Sequence, residues 1–158
     1  MTESTRNRIL YGASAVLLVG AAVLFGARSM QADGPVVRVV KSPTCGCCAD
    51  WVDHLEENGF RVEVEDTRAV GAAKARLGVP NDLSSCHTAQ VGGYVVEGHV
   101  PASDIRRLLE QRPDGVKGLA VPGMPAGSPG MEGPPPVPYD VVAFDADGNR
   151  GIWASHSP

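Results

Sequence analysis

The 158-residue sequence predicts an α/β domain, on three observations. Val36-Val37-Arg38-Val39-Val40 is a β-branched run, and such side chains suit the pleated strand. Trp51, Val52 and Leu55 then recur at helical spacing among charged residues, until Asn58-Gly59 ends the pattern. Phe60-Arg61-Val62-Glu63-Val64-Glu65 alternates apolar and charged, as a half-buried strand does. Strand, helix and strand in that order form the βαβ opening of a parallel sheet.

Later elements extend this opening. Val70 to Leu77 predicts a short helix, closed by Gly78 and Pro80. Two runs, one ending at Val91 and one starting at Tyr94, flank Gly92-Gly93, a two-residue hairpin signal. With Val91 opposite Tyr94, Cys86 falls opposite His99 and His87 opposite Gly98. Directly opposed Cβ atoms lie about 4.5–5.5 Å apart, so a thiol and an imidazole meet at the open end of the hairpin. Pro101 opens a last helix, with Ile105, Leu108 and Leu109 inward, that ends near Pro113. This order is that of a thioredoxin-like sheet flanked by helices. In that fold the start of the third strand lies beside the thiols of the first helix. Here that position holds Ser85-Cys86-His87 in place of a cis-proline.

From Gly118 the composition changes. Val121 to Pro136 is rich in Pro and Gly and has no helix or strand period, which by composition is a linker. It also holds Met124 and Met131, the two methionines beyond the N-terminal segment, which predicts an ordered loop laying thioethers over the cysteines. Tyr139 to Phe144 and Gly151 to Ala154, around Asp145-Ala146-Asp147-Gly148-Asn149, predict a C-terminal β-hairpin that extends the sheet. The Asp145/Asp147/Asn149 spacing mimics the start of a calcium loop, but its twelfth position is His156 and not Glu, so calcium is rejected. The expected organisation is a signal peptide or membrane anchor over 1–32 and a metal-binding thioredoxin-like domain over 33–115. A Pro/Gly/Met loop over 116–138 and a hairpin over 139–158 complete that domain.

Ile9 to Ala27 carries no charge and is strongly apolar, which predicts an export signal or an N-terminal membrane helix. The run exceeds the usual signal core of about 7–15 residues, and a cut after Ala32 would put Met30 at −3. These features favour an uncleaved anchor in the inner membrane, with Arg6 and Arg8 inside. Residues 33–158 are then periplasmic, secreted or anchored facing the periplasm, where disulfides persist. The net charge of −4, with no basic cluster, excludes a nucleic-acid footprint. No nucleotide-binding motif and no Ser/His/Asp arrangement is present.

Chemistry concentrates in Ser42-Pro43-Thr44-Cys45-Gly46-Cys47-Cys48-Ala49-Asp50-Trp51, which holds three of the four cysteines. The strand-to-helix turn puts the thiols at a helix N-terminus, whose unpaired N–H groups and positive dipole end favour thiolate. Three readings compete. Two structural disulfides suit an exported chain, but adjacent Cys47 and Cys48 cannot pair without strain. Cys45–Cys48 is the easy bond, leaving Cys47 with Cys86. A thiol-disulfide oxidoreductase would use Cys45 as nucleophile and Cys48 as resolving thiol, and leaves Cys47, Cys86, His87 and the methionines without a role. Metal binding uses them all. Crowded thiolates with imidazole and thioether donors select Cu(I) over hard ions, and the set is too crowded for a structural zinc site. His99 joins if the hairpin register holds. His54 is expected on the surface and His156 to be incidental.

Four motifs in order carry a family likeness: Lys41-Ser42-Pro43-Thr44-Cys45-Gly46-Cys47-Cys48 with Trp51; Ser85-Cys86-His87-Thr88; Gly93-Tyr94 with Glu97-Gly98-His99-Val100-Pro101; and Gly118 to Pro125 with Gly127 to Glu132. Over roughly residues 35–145 the chain resembles the CopG-type family of periplasmic copper-resistance proteins. The resemblance implies a thioredoxin-like fold, a CxCC centre and copper held by cysteine with histidine and methionine. It also implies a role beside copper export or detoxification, with redox cycling of bound copper. The expected function is therefore to sequester copper, or convert it between Cu(I) and Cu(II), at a multinuclear site of Cys45, Cys47, Cys48, Cys86, His87, His99, Met124 and Met131. Copper ions, one or several, are the expected ligand, and copper export or chaperone proteins the expected partners. The alternative is a periplasmic thiol-disulfide oxidoreductase using Cys45 and Cys48.

Overall fold

The computed structural model describes residues 34–133 and 135–158. Seven strands form one mixed sheet: β1 (Val36–Lys41), β2 (Arg61–Asp66), β3 (Thr88–Val91), β4 (Tyr94–Glu97), β5 (Gly118–Ala120), β6 (Tyr139–Phe144) and β7 (Arg150–His156). Three helices flank it: α1 (Gly46–Glu57), α2 (Val70–Leu77) and α3 (Ala102–Gln111). The strand order is β2-β1-β3-β4-β5-β6-β7. β1 runs parallel to β2 and antiparallel to β3, and β3–β4 is the hairpin closed by Gly92-Gly93. Residues 9–27, with their expected membrane helix, lie outside the described residues. Among the described residues no helix is long and apolar enough to cross a membrane.

Period-two alternation divides the core between the two faces of the sheet. Val37, Val39, Ala89, Val96, Leu119 and Val141 pack with Trp51 and Leu55 of α1 and with Ile105 and Leu108 of α3. Val95, Ala120 and Phe144 point the other way, onto Val79 and Leu83 in the connection after α2. Each large side chain fully buried this way contributes roughly 1.5–3 kcal/mol, so α1 is held to the sheet mainly by Trp51 and Leu55. The edge strand β2 carries Arg61, Glu63, Glu65 and Asp66, charges that discourage pairing with another chain.

The segment 116–138, expected as a loop throughout, contains β5. Three residues are too few to show any period. Gly118 is required there, because a Cβ would run into the carbonyl of Val95 and the ring of Phe144. β5 joins the hairpin β6–β7 to the rest of the sheet, parallel to β4 and antiparallel to β6.

Candidate metal centre

The β1–α1 turn places three thiols locally. Lys41, at the end of β1, is buried and anchors the turn by pairing with Asp66 at 2.9 Å and donating to the carbonyl of Ser42. Cys45 is the N-cap of α1, in extended conformation, and makes no side-chain cap. Its Sγ is bonded to that of Cys48 across a Cα–Cα separation of 5.3 Å. Cys48 is fully buried, whereas Cys47 is half-buried and free, with its Sγ 3.6 Å from that of Cys45.

The hairpin brings the remaining donors from far along the chain. β3 and β4 pair Val91 with Tyr94 and Thr88 with Glu97, and the N–H of Gly98 donates to the carbonyl of His87 at 3.1 Å. One step beyond, Cys86 Sγ lies 3.0 Å from His99 Nε2 and 3.3 Å from His87 Nδ1. The four cysteine sulfurs lie within 4.8 Å of one another, as do the donor atoms of Cys86, His87 and His99. Six of the eight expected ligands thus fall into two groups that share Cys86.

Burial and neighbouring charges set the protonation of these donors. Burial pushes the Cys86 thiol up to about 11, and the nearby Cys47 adds to this, so Cys86 carries its proton at neutral pH. Burial pushes His87 down to about 3, with His99 and the cation of Lys74 acting in the same direction. Burial also lowers His99. Both rings are neutral and have a lone pair to offer. His99 Nδ1 donates its hydrogen to the carbonyl of Pro129 at 2.8 Å, which leaves the lone pair on Nε2 facing Cys86. His87 lies against Trp51, ring centroids 4.3 Å apart, and its buried Nε2 has no partner.

A buried ion pair sets the position of Cys86. Lys74 of α2 donates to the carbonyls of Ser85 (2.9 Å) and His87 (3.2 Å) and pairs with Glu97 of β4. Glu97 is fully buried and also accepts from the N–H of Ser85 at 2.6 Å. Both residues bracketing Cys86 are therefore tied to one charge pair. Sequence reasoning missed it. The available signal is Glu97 itself, a carboxylate ending a strand whose Val95 and Val96 are both buried, which demands a buried partner.

The Pro/Gly loop closes over this face. The carbonyl of Gly123 accepts from Ser85 Oγ. Gly130 has φ +83°, and a Cβ there would sit 2.6 Å from the carbonyl of Cys47 and 2.9 Å from the nitrogen of Trp51. Only glycine allows the loop so close to the first turn of α1. Met131 follows Gly130 and is half-buried, whereas Met124 follows Gly123 and is 53% exposed. Two other histidines differ from expectation. His54 is half-buried and accepts from the N–H of Ala102 at 3.1 Å, capping α3 three residues after His99. His156 pairs with the buried Asp104 at 2.7 Å and stacks on Tyr139, which ties β7 to α3. Both contacts are tertiary and leave no local signature.

Residues 83–131, which span Cys86, His87, His99, Met124 and Met131, match the family described as a protein of unknown function, DUF411. No curated protein matches the chain. A solved structure described as copper resistance protein CopG, form 2, is 44% identical, covering 78% of this chain and 99% of that one with a TM-score of 0.74. A second, form 1 of a protein so described, is 43% identical over 80% of this chain and 100% of that one, also with a TM-score of 0.74.

Proposed function

Since this chain belongs to the CopG-type copper-resistance family, we propose that it binds copper at its cysteine cluster, outside the cytoplasm, and sequesters it or converts it between Cu(I) and Cu(II). The observation that carries the reading is the approach of four cysteine sulfurs to within 4.8 Å of one another. Once the Cys45–Cys48 bond is reduced, sulfurs that close repel as thiolates unless cations bridge them, and soft Cu(I) is the cation that thiolates prefer. Four bridging thiolates hold more than one such ion. Cys45, Cys47, Cys48 and Cys86 supply sulfur, His87 and His99 nitrogen, and Met124 and Met131 thioether sulfur from the loop.

The Cys45–Cys48 bond supports the redox part of this reading. A dithiol closing to a disulfide releases two electrons and two protons, which matches two Cu(II) ions each taking one electron to become Cu(I). Reopening the bond takes two electrons and two protons from an external dithiol. We read strands β2-β1-β3-β4 with α1–α3 as a thioredoxin-like core, supported by the parallel β1–β2 pair, the antiparallel β3–β4 hairpin and thiols at the N-terminus of α1. The apolar segment 9–27 serves as export signal or anchor, and the acidic chain hands its cargo to copper export or chaperone proteins and not to nucleic acid. The same disulfide also favours a second reading, a periplasmic thiol-disulfide oxidoreductase.

One titration tests both. The full chain, fully reduced and free of oxygen, is titrated with Cu(I) against a competing chelator while the cysteines are probed by alkylation. Copper beyond one ion per chain, with all four thiols protected, is the expected result. Little copper uptake by the reduced chain, with a Cys45–Cys48 bond that in the oxidised chain exchanges readily with small dithiols, overturns it in favour of the oxidoreductase.

A further inference from the structure

The two donor groups respond differently to oxidation. Cys45 and Cys48 are joined, and sulfur in a disulfide is no longer a thiolate ligand, so the four-cysteine group loses half its donors. The group of Cys86, His87 and His99 loses none. Cys47 and Cys86 both stay free.

We propose that the disulfide form of the chain keeps a metal site of its own, in which Cys86 Sγ, His87 Nδ1 and His99 Nε2, with Cys47 as a further thiolate, hold one divalent ion of borderline softness. The disulfide then switches the chain between several Cu(I) ions in the reduced form and a single nitrogen-rich site in the oxidised one. The inference rests on the copper reading above.

Distances support this assignment. A tetrahedral ion with metal–sulfur bonds of about 2.3 Å and metal–nitrogen bonds of about 2.0 Å sets sulfur and nitrogen about 3.5 Å apart. Cys86 Sγ already lies 3.0 Å from His99 Nε2 and 3.3 Å from His87 Nδ1, so the group needs to open by only a few tenths of an ångström. The orientation of His99 is fixed in advance. Its Nδ1–H donates to Pro129, the outer hydrogen bond typical of a metal-bound imidazole, and Nε2 points inward. Lys74 and Glu97 hold the segment carrying Cys86 and His87. None of these contacts involves Cys45 or Cys48, so closing the disulfide leaves the group in place.

Donor chemistry decides the ion. Two imidazoles with one or two thiolates suit Zn(II), Co(II) or Cu(II), whereas magnesium and calcium want oxygen. Binding displaces the Cys86 proton to solvent, and a second proton if Cys47 joins, with no change of oxidation state.

The test uses the full chain with its disulfide intact and two free thiols counted by alkylation and mass. Co(II) is the probe, titrated without oxygen, with sulfur-to-cobalt absorption as the readout and Zn(II) as competitor. One Co(II) per chain is expected, with Cys86 protected from alkylation and Zn(II) displacing the cobalt. Cys86→Ser, which keeps the size of the side chain, and His99→Gln each weaken binding at least tenfold, with folding checked by circular dichroism. No cobalt uptake, or uptake indifferent to both substitutions, overturns the proposal. The reduced chain separates this failure from that of the functional reading. Several Cu(I) bound after reduction, with no Co(II) bound before it, removes only the oxidised site. Co(II) bound before reduction, with no Cu(I) after it, removes the copper function instead.

Discussion

The two halves of the candidate metal centre are built in opposite ways. Cys45, Cys47 and Cys48 come from four consecutive residues at the start of one helix, and any chain with that strand-turn-helix sequence presents them together. Cys86, His87 and His99 come from the open end of a hairpin, and their positions depend on Lys74 in α2, Glu97 in β4 and Pro129 in the loop. The first half is local and closes to a disulfide, the second is non-local and has no part in that bond. A fault far from the metal should therefore damage the second half and spare the first.

The strongest way to break this comparison is Glu97→Ala. Removing one partner of a buried ion pair leaves an uncompensated charge and costs about 3–5 kcal/mol. Glu97 is fully buried and its partner Lys74 nearly so, whereas the Arg38–Glu63 pair lies in solvent with side-chain exposures of 70% and 52%. Glu63→Ala should cost less than about 1 kcal/mol. Denaturant midpoints of the two variants measure the contrast. Glu97→Ala should also weaken metal binding through Cys86 and leave closure of the Cys45–Cys48 bond unchanged. Glu97→Gln should restore part of the binding, because its amide oxygen still accepts from the N–H of Ser85. Equal losses in the two alanine variants would remove Lys74–Glu97 as the device that positions Cys86.

Protonation gives a smaller and graded contrast. His87 is held neutral, near 3 in the folded chain against 6.5 in the unfolded one, and burial lowers His99 and His54 in the same direction. Below 6.5 the unfolded chain binds the extra protons, so stability is complete above that pH and is lost as pH falls toward 3. At pH 5, His87 alone should cost the metal-free protein about 2 kcal/mol. Denaturant unfolding at pH 7.5, 6 and 5 measures this, above the range where carboxylates titrate. His87→Gln should flatten the slope, whereas bound metal should leave it at least as steep, because a metal-bound ring takes up no proton in the folded chain while the unfolded chain still does. A flat profile for the metal-free wild type would show that His87 is not held neutral in the fold.

The local half is fully legible in the sequence, and the second half is legible as far as one turn carries it. Strand, turn, helix and alternating strand leave their period in neighbouring residues, and the Gly92-Gly93 turn fixes which residues face each other out to Cys86 and His99. What is not legible has no local period. β5 is three residues long, the contact of His54 with Ala102 spans 48 residues, and Lys74 meets Glu97 across 23. The Pro/Gly loop reads as a linker by composition. Gly123 and Gly130 seat against Ser85 and the first turn of α1, contacts that composition does not encode.

That loop carries the finest version of the comparison. Met124 and Met131 stand one residue beyond the two seated glycines, but Met124 is 53% exposed and Met131 half-buried. Thioethers are weak donors beside thiolates, so losing one should lower Cu(I) affinity only about threefold. Met131 follows the glycine packed on the cysteine-bearing turn of α1, so Met131→Leu should cost more than Met124→Leu. Leucine keeps size and apolarity, which separates loss of a donor from loss of packing. Competition against a chelator measures affinity in the reduced chain, and dithiol exchange measures the Cys45–Cys48 bond in the oxidised one. A copper site loses affinity in the leucine variants at constant exchange rate. A thiol-disulfide enzyme has no use for a thioether in this loop, so two variants with unchanged Cu(I) affinity would take the methionines out of the metal centre and leave the loop as a cover for the cysteines.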